Sequence, residues 1–240
     1  MKLSKILSLS VLIWLLYSCN GDTVRKKDFA IQGIDVSHYQ KIVDWSKVAD
    51  QGFQFTFMKA SEGLDFKDSM FVRNWSGSKE AGMIRGAYHF FRPSLDVQEQ
   101  FENFSAQVKL FPGDLAPVLD VEVEDGVPLD SLTARVNRWL LLAENHYGIR
   151  PIVYTYQNFY NKKLQGAIKG YPLWIARYNR FFEPNLTDCQ WDFWQYGHRG
   201  LIEGVEGYVD LNVFVGDKGD FDKFIYEPVY NGPSDEIVAP

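Results

Sequence analysis

Ala116-Pro117-Val118-Leu119-Asp120-Val121-Glu122 is an apolar run that ends in two acids, two residues apart. Residues i and i+2 of a strand point to the same face, so Asp120 and Glu122 look into one space. The same punctuation recurs in Ile31-Gln-Gly-Ile-Asp35 and in Tyr208-Val-Asp210, each an apolar or aromatic stretch closed by an aspartate. Two carboxyl groups in one water-poor site cannot ionise equally, and one is pushed towards staying protonated. A neutral acid beside a carboxylate is the equipment for cleaving a glycosidic bond.

Working outward, eight strands are expected near 31–36, 53–60, 84–91, 116–123, 150–156, 172–178, 191–196 and 208–214. Helical patterns separate the early ones. Val97, Phe101, Phe104 and Val108 lie on one helical face, and Leu132, Val136, Trp139, Leu140, Ala143 and Tyr147 repeat it between a Ser131 cap and a Gly148 stop. Phe71 and Trp75 suggest a helix that ends at Gly82, and shorter turns fit 44–50 and 158–166. After Tyr171 the alternation fails. The segment 197–207 reads as a glycine-rich loop or hairpin. Strands alternating with helices imply a parallel sheet, and eight of them imply a barrel. The expectation is therefore an α/β fold: an irregular TIM-like (β/α) barrel of eight strands, with helices missing after the last three. An open doubly wound sheet is the alternative, without the Gly-x-Gly-x-x-Gly of nucleotide binding after the first strand.

The chain has 240 residues and is 46% hydrophobic and 16% aromatic, enough for a sizeable core with rings left over for sugar stacking. Lys2 and Lys5 precede the apolar run 6–17, the layout of a secretory signal. Leu16-Tyr-Ser-Cys19 is similar to a bacterial lipobox, in which Cys19 is lipidated and anchors the protein to a membrane. The alternative is an ordinary signal peptide cut nearby. The expected organisation is a signal peptide at 1–18, a lipidated tether at 19–29, a barrel at 30–225 and a tail at 226–240. Cys189 is then an unpaired, partly buried thiol, and no cysteine–histidine spacing suggests zinc. The net charge of −6 argues against general nucleic-acid binding.

Several motifs together resemble the family-25 glycoside hydrolases, the Chalaropsis-type lysozymes that cleave bacterial cell-wall glycan as N-acetylmuramidases. They are Gly33-Ile-Asp-Val-Ser-His38, Lys59-Ala-Ser-Glu-Gly63, Gly86-Ala-Tyr-His-Phe90 and Leu119-Asp-Val-Glu122, followed by Val153-Tyr-Thr155, Leu173-Trp-Ile-Ala-Arg-Tyr178, Phe193-Trp-Gln-Tyr196 and Gly207-Tyr-Val-Asp-Leu-Asn212. One departure is Tyr39-Gln-Lys41, where the family often has Trp-Asn or Trp-Gln followed by Gly or Pro. The resemblance implies an irregular barrel acting on peptidoglycan glycan strands without a cofactor or metal. It makes Glu122 the general acid, gives Asp120 the orientation of charge beside the scissile sugar, and has Asp35 and Asp210 complete an acidic cup. Tyr88, Tyr154 and Trp174 are the expected sugar-contacting aromatics, Gln195 a hydrogen-bonding partner, and Lys59 a cation paired with an acid of the cup. His38 and His89 are expected to be structural. Two rivals remain at this stage: a metal-dependent phosphoesterase built on Asp35, His38, Asp120 and Asp210, and a barrel that binds glycan without turnover.

Overall fold

A computed structural model describes residues 26–179 and 181–228. The apolar leader, Cys19 and most of the C-terminal tail lie outside the described residues. Eight strands close into a barrel: β1 (Ile31–Val36), β2 (Phe55–Glu62), β4 (Ile84–Phe90), β5 (Val118–Asp120), β6 (Ile152–Tyr156), β7 (Leu173–Ala176), β8 (Phe193–Gly200) and β9 (Val209–Phe214). A two-residue strand, β3 (Phe66–Lys67), folds back on β2 as a hairpin. The barrel closes because β1 pairs with both β2 and β9.

The strands pair in parallel from β1 through β2 and β4 to β8. β9 runs antiparallel to both its neighbours, β8 and β1, so the fully parallel sheet expected from the sequence is corrected to a mixed one. The missing helix explains the reversal. A right-handed parallel return needs a crossover of a dozen or more residues, whereas the glycine-rich link from β8 to β9 builds only a hairpin. The reversal also corrects the place of Asp210. It enters β9 rather than closing a strand, and the antiparallel direction puts that entry beside Asp35, its register partner at the C-terminal end of β1.

Four helices cover the early strands: α1 (Trp45–Asp50), α2 (Phe71–Glu80), α3 (Val97–Gln107) and α4 (Leu129–Tyr147). Asp96 caps α3 by accepting from the Glu99 amide at 3.0 Å. α4 begins one turn earlier than the expected Ser131 cap. Pro128 precedes it, where the missing N–H costs nothing. The helix stops at Gly148, whose φ of 72° is the left-handed conformation that glycine adopts freely. Helix faces and outward strand residues form one apolar layer, including Val48, Phe104, Trp139, Leu119 and Ile175. Around β8 and β9 loops and the N-terminal segment take over. Phe29 packs on Trp191 and Trp194, and the Lys26 ammonium lies 4.2 Å from the Trp194 ring centroid.

The barrel interior is a second core, filled largely by aromatic rings. Phe55, Phe57, Trp174, Phe193, Phe214 and Phe221 pack there, with Phe57 and Trp174 stacked at 4.5 Å. A Cβ on Gly33 would stand 2.6 Å from the Phe55 ring and from its carbonyl oxygen, so only glycine lets β1 lie this close to β2. Gly86 gives Phe57 the same room from the other side. The buried aromatics are thus divided between this floor and the outer apolar layer. Lys41, at the departure from the family pattern, has φ 55° and ψ −128°, a backbone region that suits glycine and strains a lysine.

Candidate active site

The inward face of each strand carries the pattern from floor to mouth. On β1 it reads Ile31, Gly33, Asp35, and on β9 from the opposite direction Phe214, Asn212, Asp210. β8 adds Phe193 then Gln195, and β7 adds Trp174 then Ala176. β5 ends at Asp120, level with Tyr154 of β6 and Phe90 of β4. Glu122 lies just past the hydrogen-bonded end of β5. The four acids named from the sequence therefore meet at one end of the barrel. They line a pocket of about 140 Å³ with Tyr88, Tyr154, Tyr156, Trp174, Tyr178 and Gln195.

Asp35 is buried and held by amides. Its Oδ1 accepts from Gln195 Nε2 at 2.8 Å and from Asn212 Nδ2 at 2.7 Å. Gln195 Oε1 in turn accepts from the Tyr154 and Tyr178 hydroxyls at 2.8 and 2.9 Å, and Asn212 Oδ1 accepts from Trp174 Nε1 at 2.9 Å. Every partner fixes the orientation of the next. Burial pushes the Asp35 carboxyl up to about 6, although the hydrogen bonds from Asn212 and Gln195 and one shared with Asp210 oppose the shift.

Asp120 and Glu122 form the second carboxyl pair. Burial raises both, and the neighbouring Glu122 charge raises Asp120 further. The Tyr156 hydroxyl and Asp120 lie close enough to Glu122 to lower its proton affinity against the burial. Two such neighbours titrate as a pair, and burial favours keeping a proton on it. The buried Oδ1 of Asp120 has no hydrogen-bond partner within the protein.

The remaining expected residues divide. Tyr88 lines the pocket half-buried. Tyr154 and Trp174 are only 5% and 2% exposed, so they form its base rather than its rim. Lys59 does not line the pocket. Its ammonium is bound to Glu62 at 2.6 Å instead of a cup acid, and lies over the Phe66 and Phe90 rings. Its charge nonetheless lowers the proton affinity of Asp120 and Glu122 from a distance. Both histidines are structural. His38 Nδ1 meets Asp68 Oδ2 at 2.7 Å, and His89 stacks on Trp139 between Ser61 and Gln100. Burial drives His89 down to about 3, so it stays neutral. With His38 bound to Asp68, the ligand set of a metal phosphoesterase is not assembled, and no cluster of metal-binding side chains occurs among the described residues. Cys189 is free and exposed, not partly buried as expected, with its Sγ 2.8 Å from the Tyr160 hydroxyl.

Sequence reasoning missed Tyr156, Tyr178 and Asn212. Tyr156 and Asn212 were legible by strand parity, two residues beyond Tyr154 and Asp210. Tyr178 shares the parity of Trp174 within the expected strand 172–178, although β7 ends at Ala176.

The chain matches the family model described as glycosyl hydrolases family 25 over residues 34–205. Asp210 and Asn212 lie beyond that span and are placed by β9 alone. The protein YegX of Escherichia coli (strain K12) is 40% identical over 202 residues, covering 82% of this chain and 74% of its own. Lysozyme M1 of Streptomyces globisporus is 34% identical over 201 residues, covering 78% of this chain and 68% of its own. A solved family 25 glycosyl hydrolase from Bacillus anthracis superposes with a TM-score of 0.79 at 33% identity, covering 86% of this chain and 98% of that one.

Proposed function

The chain belongs to family 25 of the glycosyl hydrolases, a glycosidase in the class of peptidoglycan-degrading lysozymes, and on that footing we propose that it is an N-acetylmuramidase whose Glu122 is the general acid. The bond it cuts is the β-1,4 linkage from N-acetylmuramic acid to N-acetylglucosamine. One observation carries the reading: Asp120 and Glu122 line the same pocket at the barrel mouth, and a buried oxygen of Asp120 has no hydrogen-bond partner within the protein.

Glu122 gives its proton to the leaving oxygen. It stands on the open side of the pair, beside the pocket and the Tyr156 hydroxyl. The orphaned Asp120 oxygen suits the N–H of the 2-acetamido group. Held there, the acetamido carbonyl attacks C1 as the leaving group departs, and water then opens the ring so formed. Asp35 and Asp210 hold negative charge below the developing oxocarbenium ion. Gln195, Asn212, Trp174 and Tyr154 act through Asp35 by fixing its position, and Tyr88, Tyr156 and Tyr178 face the sugar.

The leader and Cys19 fit export followed by lipid anchoring, which would hold the barrel close to the wall. Lys26–Phe29 lies on the barrel, with Gln32 Nε2 donating to the Lys26 and Phe29 carbonyls at 2.9 and 3.0 Å. A tether would therefore act from before Lys26. Cys19→Ala is expected to shift the protein from the membrane fraction to the soluble fraction or to block processing; wild-type protein without acyl mass contradicts the anchor.

Borohydride reduction of digested peptidoglycan tests the bond. Labelled muramic acid at the new reducing ends is expected, and labelled glucosamine overturns the muramidase reading.

A further inference from the structure

Beside the acid pocket lies a second, larger cavity of about 860 Å³. Tyr156 and Tyr178 line both, so the two adjoin as one groove walled by these rings. Away from the shared tyrosines the second cavity changes character. Its wall holds Lys162, Lys163 and Arg177 against one acid, Glu124.

Lys163 Nζ meets Glu124 Oε2 at 2.8 Å, which neutralises that pair. The other two cations have no carboxylate partner among the described residues. Arg177 Nη1 donates to the Gln157 side-chain oxygen at 3.3 Å and to the Glu183 carbonyl, both neutral acceptors. Its backbone is fixed as well, since its N–H donates to the Gln195 carbonyl at 3.1 Å and its own carbonyl accepts from Trp194 Nε1 at 2.9 Å. Lys162 is exposed. A chain of net charge −6 thus keeps two cations without a carboxylate partner among the described residues in a cavity beside its acid pocket.

We propose that this groove, through Lys162 and Arg177, holds the carboxylates of a peptide stem carried by the muramic acid, so that stem-bearing glycan is the preferred substrate. The inference rests on the glycosidase reading above and deepens it. The sugar rings and acetamido groups bound at the tyrosine wall are neutral, and in stem-bearing glycan the lactyl carboxyl is neutral too, tied up as an amide. A stem leaves the sugar through its lactyl group and carries free carboxylates at its acidic residues and its C-terminus. Those charges lie farther out than the lactyl carboxylate left when the stem is removed, as Lys162 and Arg177 lie farther out than the acid pocket. A guanidinium held by two hydrogen bonds is a pre-set partner for a carboxylate.

The test compares kcat/KM on stem-bearing glycan strands and on strands stripped of stems by an amidase. The wild type is expected to favour the stem-bearing strands. Lys162→Glu is expected to lower that ratio about three- to tenfold at low salt, the scale of reversing one partly exposed ion pair. Lys162→Gln is expected to lower it less, and both effects shrink in high salt. An unchanged ratio overturns the proposal. So does a drop confined to walls that carry phosphate polymers, which would make the ligand a phosphate. Turnover of neither glycan by the wild type would instead sink the glycosidase reading, and this inference with it.

Discussion

The barrel has two inward layers built on the same strands, and they obey opposite rules. At the floor, Phe55, Phe57, Phe193 and Phe214 are buried to within 2% of complete and touch ring to ring. At the mouth, β8 and β9 carry Gln195 and Asp210, and the adjoining β1 carries Asp35. The floor gains from burial, because each ring leaves water for a close-packed apolar site. The mouth loses by it, because burial penalises the charged forms of Asp35, Asp120 and Glu122. The difference teaches that the floor supplies stability and the mouth consumes part of it to hold protons at useful affinities.

Breaking the mouth should cost chemistry and spare the fold. Glu122→Gln keeps shape and removes the transferable proton, so turnover of natural glycan should fall by about 10²–10⁴-fold. A thermal melt on the same sample should show a folded protein. Near-wild-type turnover by a folded variant would remove Glu122 from its role.

Breaking the floor should do the reverse. Phe193→Ala removes a ring with 0% exposure that touches Phe55, Phe57, Phe214 and Phe221, and the expected loss is about 3–5 kcal/mol in denaturant unfolding. A loss under about 1 kcal/mol would mean the floor is not packed as described.

Asp35→Asn sharpens the contrast, because it should weaken catalysis while strengthening the fold. The folded affinity, near 6, exceeds the ordinary 3.8, so the folded state binds the proton more tightly. Stability is then highest below about 4 with respect to this group and falls as pH rises towards 6. Asparagine keeps an oxygen for Gln195 and Asn212 without the charge. Its melting temperature at pH 7.5 should exceed the wild-type value by at least about 2 °C. A lower value at that pH contradicts the burial penalty.

Lys59→Met probes the mouth from outside it. Removing the cation raises the proton affinity of Asp120 and Glu122, so the alkaline limb of the activity profile should move to higher pH. An unmoved limb would restrict Lys59 to its contact with Glu62. The smallest effect is expected at Lys41→Gly, which relieves the φ of 55° but loosens the unfolded chain. The net gain should be a few tenths of a kcal/mol to about 1 kcal/mol.

The two layers were unequally legible in the sequence. Strand-ending acids and helical periods located the barrel, its absent late helices and the four carboxyls, because those patterns are local. The direction of β9 was not local. It depends on what the 201–208 link can span, and only the closed sheet shows that Asp210 enters its strand beside Asp35. Lys59 was misjudged for a related reason. The register of β2 against β4 shifts between Lys59 and Ser61, and Glu62 is within reach of the ammonium at 2.6 Å. Trp174 and Tyr154 carried the right parity, but parity cannot tell base from rim. Their near-complete burial leaves Tyr156 and Tyr178, at 37% and 43% exposure, as the rim.

The central claim, that Asp120 and Glu122 act as one proton-sharing pair assisted by the substrate's own acetamido group, is tested most directly by the first-formed anomer. Proton NMR of a glycan digest, recorded before mutarotation, should show the β anomer of muramic acid, since two inversions at C1 retain configuration. An initial α anomer would contradict the account and put direct water attack, with Asp120 as its base, in place of assistance.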